Sequence, residues 1–235
     1  MDKILVFDIW GDYGHFKKIY TTTSPLTYSI PTRTSLTGLI GAIAGLGKDS
    51  YLSYSSKEKE KIAVGLNNQV KKVRLAENLI KTSGGFGDMS NIKNRTQVRF
   101  ELLKDPSFRI YFTHSDNKLY TKVKSLLSEH KCIYTPCLGL SELIANFKYI
   151  GEFDYELNKS GDVTDIKTAI PESRIINVNF QQDLEYISEK QPLEMDEDRC
   201  VTEYDNVIFE RRAKPVSASV TEYCKLSNGD NIVFL

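Results

Sequence analysis

Residues 13–48 read YGHFKKIYTTTSPLTYSIPTRTSLTGLIGAIAGLGK, a stretch without a single Asp or Glu in a chain that is 26% charged. Its charges are Lys17, Lys18, Arg33 and Lys48, with hydroxyl and aromatic side chains between them. Cations and hydroxyl donors bind phosphates, and aromatic rings stack on the bases of a single strand. The stretch therefore favours a nucleic-acid-binding surface over an ordinary solvated face, which normally carries both signs of charge.

The remaining charge is distributed unevenly along the 235 residues. Segment 67–99 has a net charge of +5 and segment 152–198 a net charge of −9, while the whole chain is neutral. Neutrality excludes a uniformly basic binder, and 13 Tyr with 11 Phe exclude a largely disordered chain. We expect a polyanion to bind on one side only, with segment 152–198 facing solvent or a protein partner.

The sequence shows no sign of a membrane, metal or cofactor site. Residues 1–8 alternate like a strand, and the longest apolar run, Leu39–Leu46, is shorter than the roughly 20 residues that cross a bilayer. Cys132, Cys137, Cys200 and Cys224 lack metal-binding spacing and are expected to be free thiols. These features predict a cytoplasmic protein.

Hydrophobic periodicity and capping residues predict the order strand, helix, strand, strand, helix, strand in residues 1–155. The predicted elements include a strand at Lys3–Ile9, a helix from Arg33 after Pro31 and Thr32, a strand beginning at Ile62, a helix over Asp116–Lys131 and a strand over Asn146–Phe153. This order is typical of an α+β fold of the ferredoxin-like or RNA-recognition class.

Two further features complete the predicted architecture. Residues 71–99 alternate as two strands around a glycine-rich tip, which predicts a protruding basic β-hairpin. We expect its tip, Ser83–Asn91, to order only on assembly, with Phe86 as anchor. Residues 156–235 are expected to form a small β-rich C-terminal subdomain.

The stretch Phe16–Tyr51 resembles the N-terminal signature of the CRISPR-associated Cas-five family, within the RAMP superfamily. The matching motifs are an aromatic-basic segment, a hydroxyl run before proline, a Tyr-x-x-Pro-x-Arg-Thr motif and a glycine-rich helix, here Phe16–Tyr20, Thr21–Pro25, Tyr28–Thr34 and Gly38–Ile43. A weaker similarity covers Pro136–Glu142. The resemblance is closest to the type I-B branch.

That resemblance implies a non-catalytic RNA-binding subunit of a Cascade interference complex in prokaryotic antiviral defence. Such a subunit grips the 5′ handle of the CRISPR RNA and contacts the backbone and large subunits. Its hairpin, called the thumb in relatives, projects toward the neighbouring backbone subunit. Target DNA would be contacted only indirectly, because guide pairing reads its sequence.

We predict RNA contacts within the acid-free stretch and the basic hairpin. The predicted RNA-binding residues are His15, Lys17, Lys18, Tyr20, Thr21, Thr22, Thr23, Arg33, Thr34, Ser35, Arg74, Phe86, Lys93, Arg95 and Arg99.

Two other functional classes remain open. Type I-C relatives cleave their repeat RNA, and a metal-independent endoribonuclease needs a general acid–base and a cation. His114, Tyr28 and Lys118 are the candidate residues for that alternative. The third class is a structural adaptor whose acidic segment docks a basic partner.

Overall fold

This computed structural model describes residues 2–21, 24–80, 95–159 and 161–235. In these ranges the chain forms two α-helices, fifteen β-strands and two short 3-10 turns. The first half contains β1 (Asp2–Trp10), β2 (Tyr13–Gly14), α1 (Arg33–Ala44), β3 (Glu60–Leu66), β4 (Lys72–Ile80), β5 (Arg95–Lys104), β6 (Ser107–His114) and α2 (Asn117–Ser128). The second half contains β7 (Asn146–Asn158), β8 (Thr164–Ile166), β9 (Ile170–Pro171), β10 (Ile175–Val178), β11 (Tyr186–Met195), β12 (Val201–Glu210), β13 (Val216–Val220), β14 (Tyr223–Leu226) and β15 (Asn231–Ile232).

The largest sheet has six strands in the order β15-β14-β7-β1-β6-β3, and every neighbouring pair is antiparallel. Its central strand, β1, is apolar on both sides because both sides are covered. Leu5 and Phe7 belong to the main core, whereas Ile4 and Val6 pack in a second cluster on the opposite face. Strands buried on both faces become nearly continuous apolar runs, which explains why residues 3–9 are so readily recognised as a strand.

Both helices begin directly after a residue whose side chain caps them. Thr32 caps α1 by accepting a hydrogen bond from the Ser35 N–H at 3.2 Å, and Asp116 caps α2 through the N–H groups of Lys118 and Leu119. Helix α1 ends at Gly45, whose φ of 72° is in the left-handed region that terminates helices. Neither helix in the described part of the chain is long and apolar enough to span a bilayer.

The helices pack together over one face of the sheet and form the main core. Buried side chains from α1, α2 and the sheet meet there, including Leu36, Ile40, Ile43, Val123, Leu127, Leu5, Phe7, Ile62 and Phe112. Each fully buried side chain of this size contributes roughly 1.5–3 kcal/mol of hydrophobic free energy.

The C-terminal part of the chain shares this sheet and core. Strand β14 pairs with β7, and the Leu235 N–H bonds the Ile62 carbonyl on β3 at 2.9 Å, so the sheet curls until its two ends are joined by the chain terminus. Leu193, Val207 and Phe209 lie in the same core as the helices. The predicted boundary at residue 155 falls inside β7, and residues beyond it also form a cluster of their own around Ile166, Val216 and Val220.

Strand β11 is absent from the sequence-based expectations. Its ten residues include Glu189, Lys190, Gln191 and Glu194, and its register with β12 shifts twice near Pro192. Polar residues and a proline obscure the alternation on which strand prediction depends. This strand packs against α1 and brings acidic side chains close to the acid-free stretch.

Candidate nucleic-acid interface

Strands β4 and β5, the arms of the predicted basic hairpin, pair in antiparallel fashion, and their register divides the pair into two chemically different faces. Residues directly opposite each other across an antiparallel pair share a face. Arg74 pairs with Glu101, Arg99 with Ala76, and Arg95 with Ile80, so the three arginines share one face. All three arginines are exposed.

The other face of the hairpin is mainly apolar. It carries Val73, Leu75, Val98 and Phe100, and Leu75 remains 40% exposed. The hairpin is therefore amphipathic across its two faces, with its cationic side available to a polyanion.

The acid-free stretch lies against the base of this hairpin. The Glu101 N–H bonds the Pro25 carbonyl at 3.0 Å, and the Glu101 carboxylate accepts from the Thr27 N–H at 3.4 Å. Lys72 Nζ donates to the Thr27 carbonyl at 2.9 Å. The acid-free stretch and the hairpin, which the sequence analysis identified separately, thus form one continuous surface.

At the outer part of this surface, Lys17, Ile19 and Tyr20 are exposed. Ile19 is 59% and Tyr20 67% accessible, which places them among the most exposed large hydrophobic side chains of the described residues. Thr21 lies beside them and donates its hydroxyl to the Lys18 carbonyl at 2.7 Å. A cation next to an exposed aromatic ring suits a single strand, in which phosphates and bases are both accessible.

Lys18 is directed inward instead. Its Nζ lies 3.0 Å from Glu189 Oε1, and its side chain is 15% exposed. Burial lowers the pKa of Lys18, but the hydrogen bond and charge of Glu189 outweigh that effect and raise it overall. The expectation that segment 152–198 faces away from the basic surface is therefore wrong at Glu189, and the cations of the acid-free stretch are partly compensated.

Arg33 and His15 are interior residues, contrary to their predicted exposure to RNA. Arg33 is 2% exposed and donates to the carbonyls of Leu193, Ser55 and Glu60 at 2.9–3.0 Å. His15 is also 2% exposed, and its Nδ1 lies 2.8 Å from the carbonyl oxygen of Glu101, which requires that nitrogen to donate. Both residues stabilise the segments beneath the surface through their buried hydrogen bonds.

The Glu60 carboxylate lies beside Arg33 in the interior. Its Oε2 is 3.9 Å from an Arg33 nitrogen and accepts a 2.6 Å hydrogen bond from the Thr37 hydroxyl. Burial raises the pKa of Glu60 to about 7, against the lowering effects of Thr37 and Arg33. No feature of the sequence indicated this pair, apart from the position of Arg33 at the start of a helix.

Thr34 and Ser35 lie in the first turn of α1 and are partly exposed. Their hydroxyls are within 3.0 Å and 2.8 Å of the Thr32 hydroxyl, so they belong to the cap of the helix. Thr22, Thr23, Phe86, Lys93 and the hairpin tip Ser83–Asn91 lie outside the described residues.

The structure does not assemble the alternative catalytic set of His114, Tyr28 and Lys118. His114 Nε2 faces the Tyr54 carbonyl at 2.7 Å and Nδ1 accepts from the Asp116 N–H at 2.8 Å, so both ring nitrogens are occupied. Burial raises the pKa of Tyr28 to about 12. Within the described ranges no hydrogen bond or ion pair connects the three side chains, nor do three or more His, Cys, Asp or Glu residues cluster as metal ligands would.

Comparisons with known proteins identify the chain's relatives. The family model described as CRISPR-associated protein (Cas_Cas5) matches residues 4–213. A crystal structure of a CRISPR protein from Archaeoglobus fulgidus is similar over 99% of both chains, with 12% identity and a TM-score of 0.57. A chain from a CRISPR RNA-guided surveillance complex is similar over 90% of this chain and 91% of that chain, with 11% identity and a TM-score of 0.52. A search of curated proteins found no similar sequence.

Proposed function

Since this chain belongs to the CRISPR-associated protein (Cas_Cas5) family, we propose that it is a non-catalytic CRISPR RNA-binding subunit of a type I, I-B-like Cascade complex. It grips the 5′ handle of the guide RNA and contacts the backbone and large subunits of the complex in the cytoplasm. Target DNA is reached indirectly, through base pairing with the guide.

One observation carries this proposal: the cationic face of the hairpin is continuous with the exposed loop of the acid-free stretch. We call this surface the handle face and define it as Lys17, Tyr20, Thr21, Arg74, Arg95 and Arg99. In a neutral chain, so many exposed cations beside an exposed aromatic ring indicate a local polyanion site. Stacking of one base on Tyr20 contributes roughly 1–3 kcal/mol, and each arginine can bind a phosphate through two N–H groups.

The topology supports the corresponding fold assignment. Strands β7, β1, β6 and β3 are neighbours in that order, with α1 following β1 and α2 following β6 in the chain. We assign this unit to the ferredoxin-like, RNA-recognition class and the hairpin between β3 and β6 to the thumb. The C-terminal strands extend the unit, and the hairpin projects toward a neighbouring subunit.

The endoribonuclease alternative lacks a comparable observation. Tyr28 is 2% exposed, and the hydrogen bonds of His114 leave neither ring nitrogen free for proton transfer. Lys118 is exposed in the first turn of α2, and no hydrogen bond in the described residues joins it to Tyr28.

The test is a gel-shift titration with guide RNA that carries its repeat-derived handle. The variant Arg74→Glu/Arg99→Glu reverses two charges of the handle face, and Lys122→Glu/Lys225→Glu reverses two exposed charges elsewhere. We expect at least a tenfold rise in Kd for the first variant, a much smaller one for the second, and a salt slope lower by about 0.7 for each lost phosphate contact. Equal effects of the two variants would contradict the assigned interface, and metal-independent cleavage of the RNA would contradict the non-catalytic role.

A further inference from the structure

Glu189 belongs to the acidic half of the chain, yet its carboxylate is wedged between the two segments of the handle face. Oε1 lies 3.0 Å from Lys18 Nζ and 3.7 Å from Lys72 Nζ. Oε2 accepts from the Ser29 N–H at 2.8 Å, while the Ser29 hydroxyl donates to Oε1 at 3.0 Å. One carboxylate therefore makes three contacts with two residues of the acid-free stretch and one contact with the base of the hairpin.

Because the Glu189 carboxylate is buried, its attraction for the two lysines is only weakly screened by salt. The Glu189 side chain is 8% exposed, and those of Lys18 and Lys72 are 15% and 28% exposed. Interactions between partly buried charges are screened by salt much less than those between exposed charges. Lys72 also lies 3.5 Å from Glu101, so each lysine has a carboxylate within salt-bridge distance.

Two cations at the centre of an RNA-binding surface are thus neutralised by the protein itself. A free lysine attracts any polyanion, because phosphate contacts carry no sequence information. A compensated lysine leaves binding to the groups whose positions fit one RNA, here the loop with Lys17 and Tyr20 and the hairpin residues Arg95 and Arg99. Specificity is the difference between the affinities for two RNAs, so it increases when sequence-independent phosphate contacts are removed.

We propose that Glu189 is a specificity-determining residue, whose negative charge compensates Lys18 and, together with Glu101, compensates Lys72, and so limits sequence-independent RNA binding. This inference rests on the proposed function and adds a residue from the acidic half to it. Glu189 does not contact the RNA; it acts through the two lysines.

A purely structural role would give a different result. If Glu189 served only to anchor Ser29, the amide of glutamine would keep the length and an acceptor oxygen for the Ser29 groups. Aspartate would keep the charge but shorten the side chain. The two substitutions therefore separate charge from hydrogen bonding.

The experiment measures Kd by fluorescence anisotropy for two RNAs of equal length, one with the repeat-derived handle and one with that handle scrambled. Glu189→Gln, Glu189→Asp and the control Glu203→Gln are compared with the wild type over a range of salt. Glu203 pairs with Lys57 at 2.7 Å on β12, so the control removes a carboxylate from another ion pair. Circular dichroism before each titration establishes that the variants are folded.

For Glu189→Gln we expect tighter binding of the scrambled RNA, a loss of discrimination of about fivefold or more, and a salt slope steeper by about 0.7 for the released Lys18, since Lys72 keeps Glu101. Glu189→Asp and Glu203→Gln should keep the discrimination and the slope of the wild type. Wild-type behaviour of Glu189→Gln, or equal losses in the Gln and Asp variants, would overturn the proposal.

If Glu189→Gln does not fold, the double variant Lys18→Gln/Glu189→Gln tests the same idea, since it removes the charge and its main partner together. It should bind both RNAs with the wild-type salt slope, because Lys72 keeps Glu101 as its partner at 3.5 Å, and a steeper slope would refute the proposal. Failure of the wild type to bind either RNA is a separate outcome, which would refute the proposed function itself.

Discussion

Replacing Arg33 with methionine tests whether this arginine supports the fold or contacts RNA, the role that its sequence position predicted. Its guanidinium is buried and donates three hydrogen bonds, to the carbonyls of Leu193, Ser55 and Glu60. Methionine keeps much of the apolar stem but removes every donor. The three carbonyls lose their partner, and the Glu60 carboxylate loses its nearest positive charge.

The size of the effect follows from this arrangement. Removing one partner of a buried ion pair costs about 3–5 kcal/mol, because the other charge is left uncompensated. Protonation of Glu60 relieves part of that cost, so we expect a loss near 4 kcal/mol. For a chain of this length, that corresponds to a fall in Tm of roughly 8–16 °C.

Urea unfolding followed by circular dichroism measures the loss, and guide-RNA binding is measured where the variant is still folded. Arg174→Met is the matched control, since Arg174 forms a surface ion pair with Glu222 at 2.8 Å and should cost no more than about 1 kcal/mol. The double variant Arg33→Met/Glu60→Gln should recover part of the loss, because it leaves no charge behind. Unchanged stability of Arg33→Met together with a large loss of RNA affinity would refute the reasoning and restore Arg33 as an RNA contact.

Three other predictions concern Glu60, Gly139 and Tyr20. Burial raises the pKa of Glu60 to about 7, above its ordinary 4.5. The protonated group therefore stabilises the fold below pH 4.5, and this contribution is lost as pH rises through 7. Glu60→Gln should flatten the fall in urea midpoint between pH 5 and pH 7.5. Gly139 has a φ of 98°, and an added Cβ would lie 1.8 Å from the His15 carbonyl oxygen. Gly139→Ala should therefore lower the free energy of unfolding by about 2–4 kcal/mol. An unchanged Tm would show that the backbone adjusts. Tyr20→Ala should leave Tm unchanged, because the ring is 67% exposed. It should raise the Kd for handle RNA about fivefold or more, because a stacking ring is lost. Tyr20→Phe keeps the ring and should bind normally if stacking is the cause.

Local signals in the sequence determined the elements and much of their order. Thr32 and Asp116 mark the starts of both helices because a cap depends on residues within one turn. The alternation of β4 and β5 predicted the hairpin, and their basic character identified its cationic face. The motifs of Phe16–Tyr51 pointed to the family that the family model then matched over residues 4–213.

Which charges are available on the surface was decided only by the tertiary structure. Lys18 meets Glu189 across 171 residues of sequence, and Arg33 meets a carbonyl of Leu193 across 160. Strand β11 brings both partners, and its own alternation is obscured by Pro192 and polar residues. A count of charges along a segment treats each lysine or arginine as free, whereas burial and long-range pairing depend on how distant strands pack. The sequence therefore identified the basic surface, but only the fold separated the cations that face solvent from those that the protein neutralises in its interior.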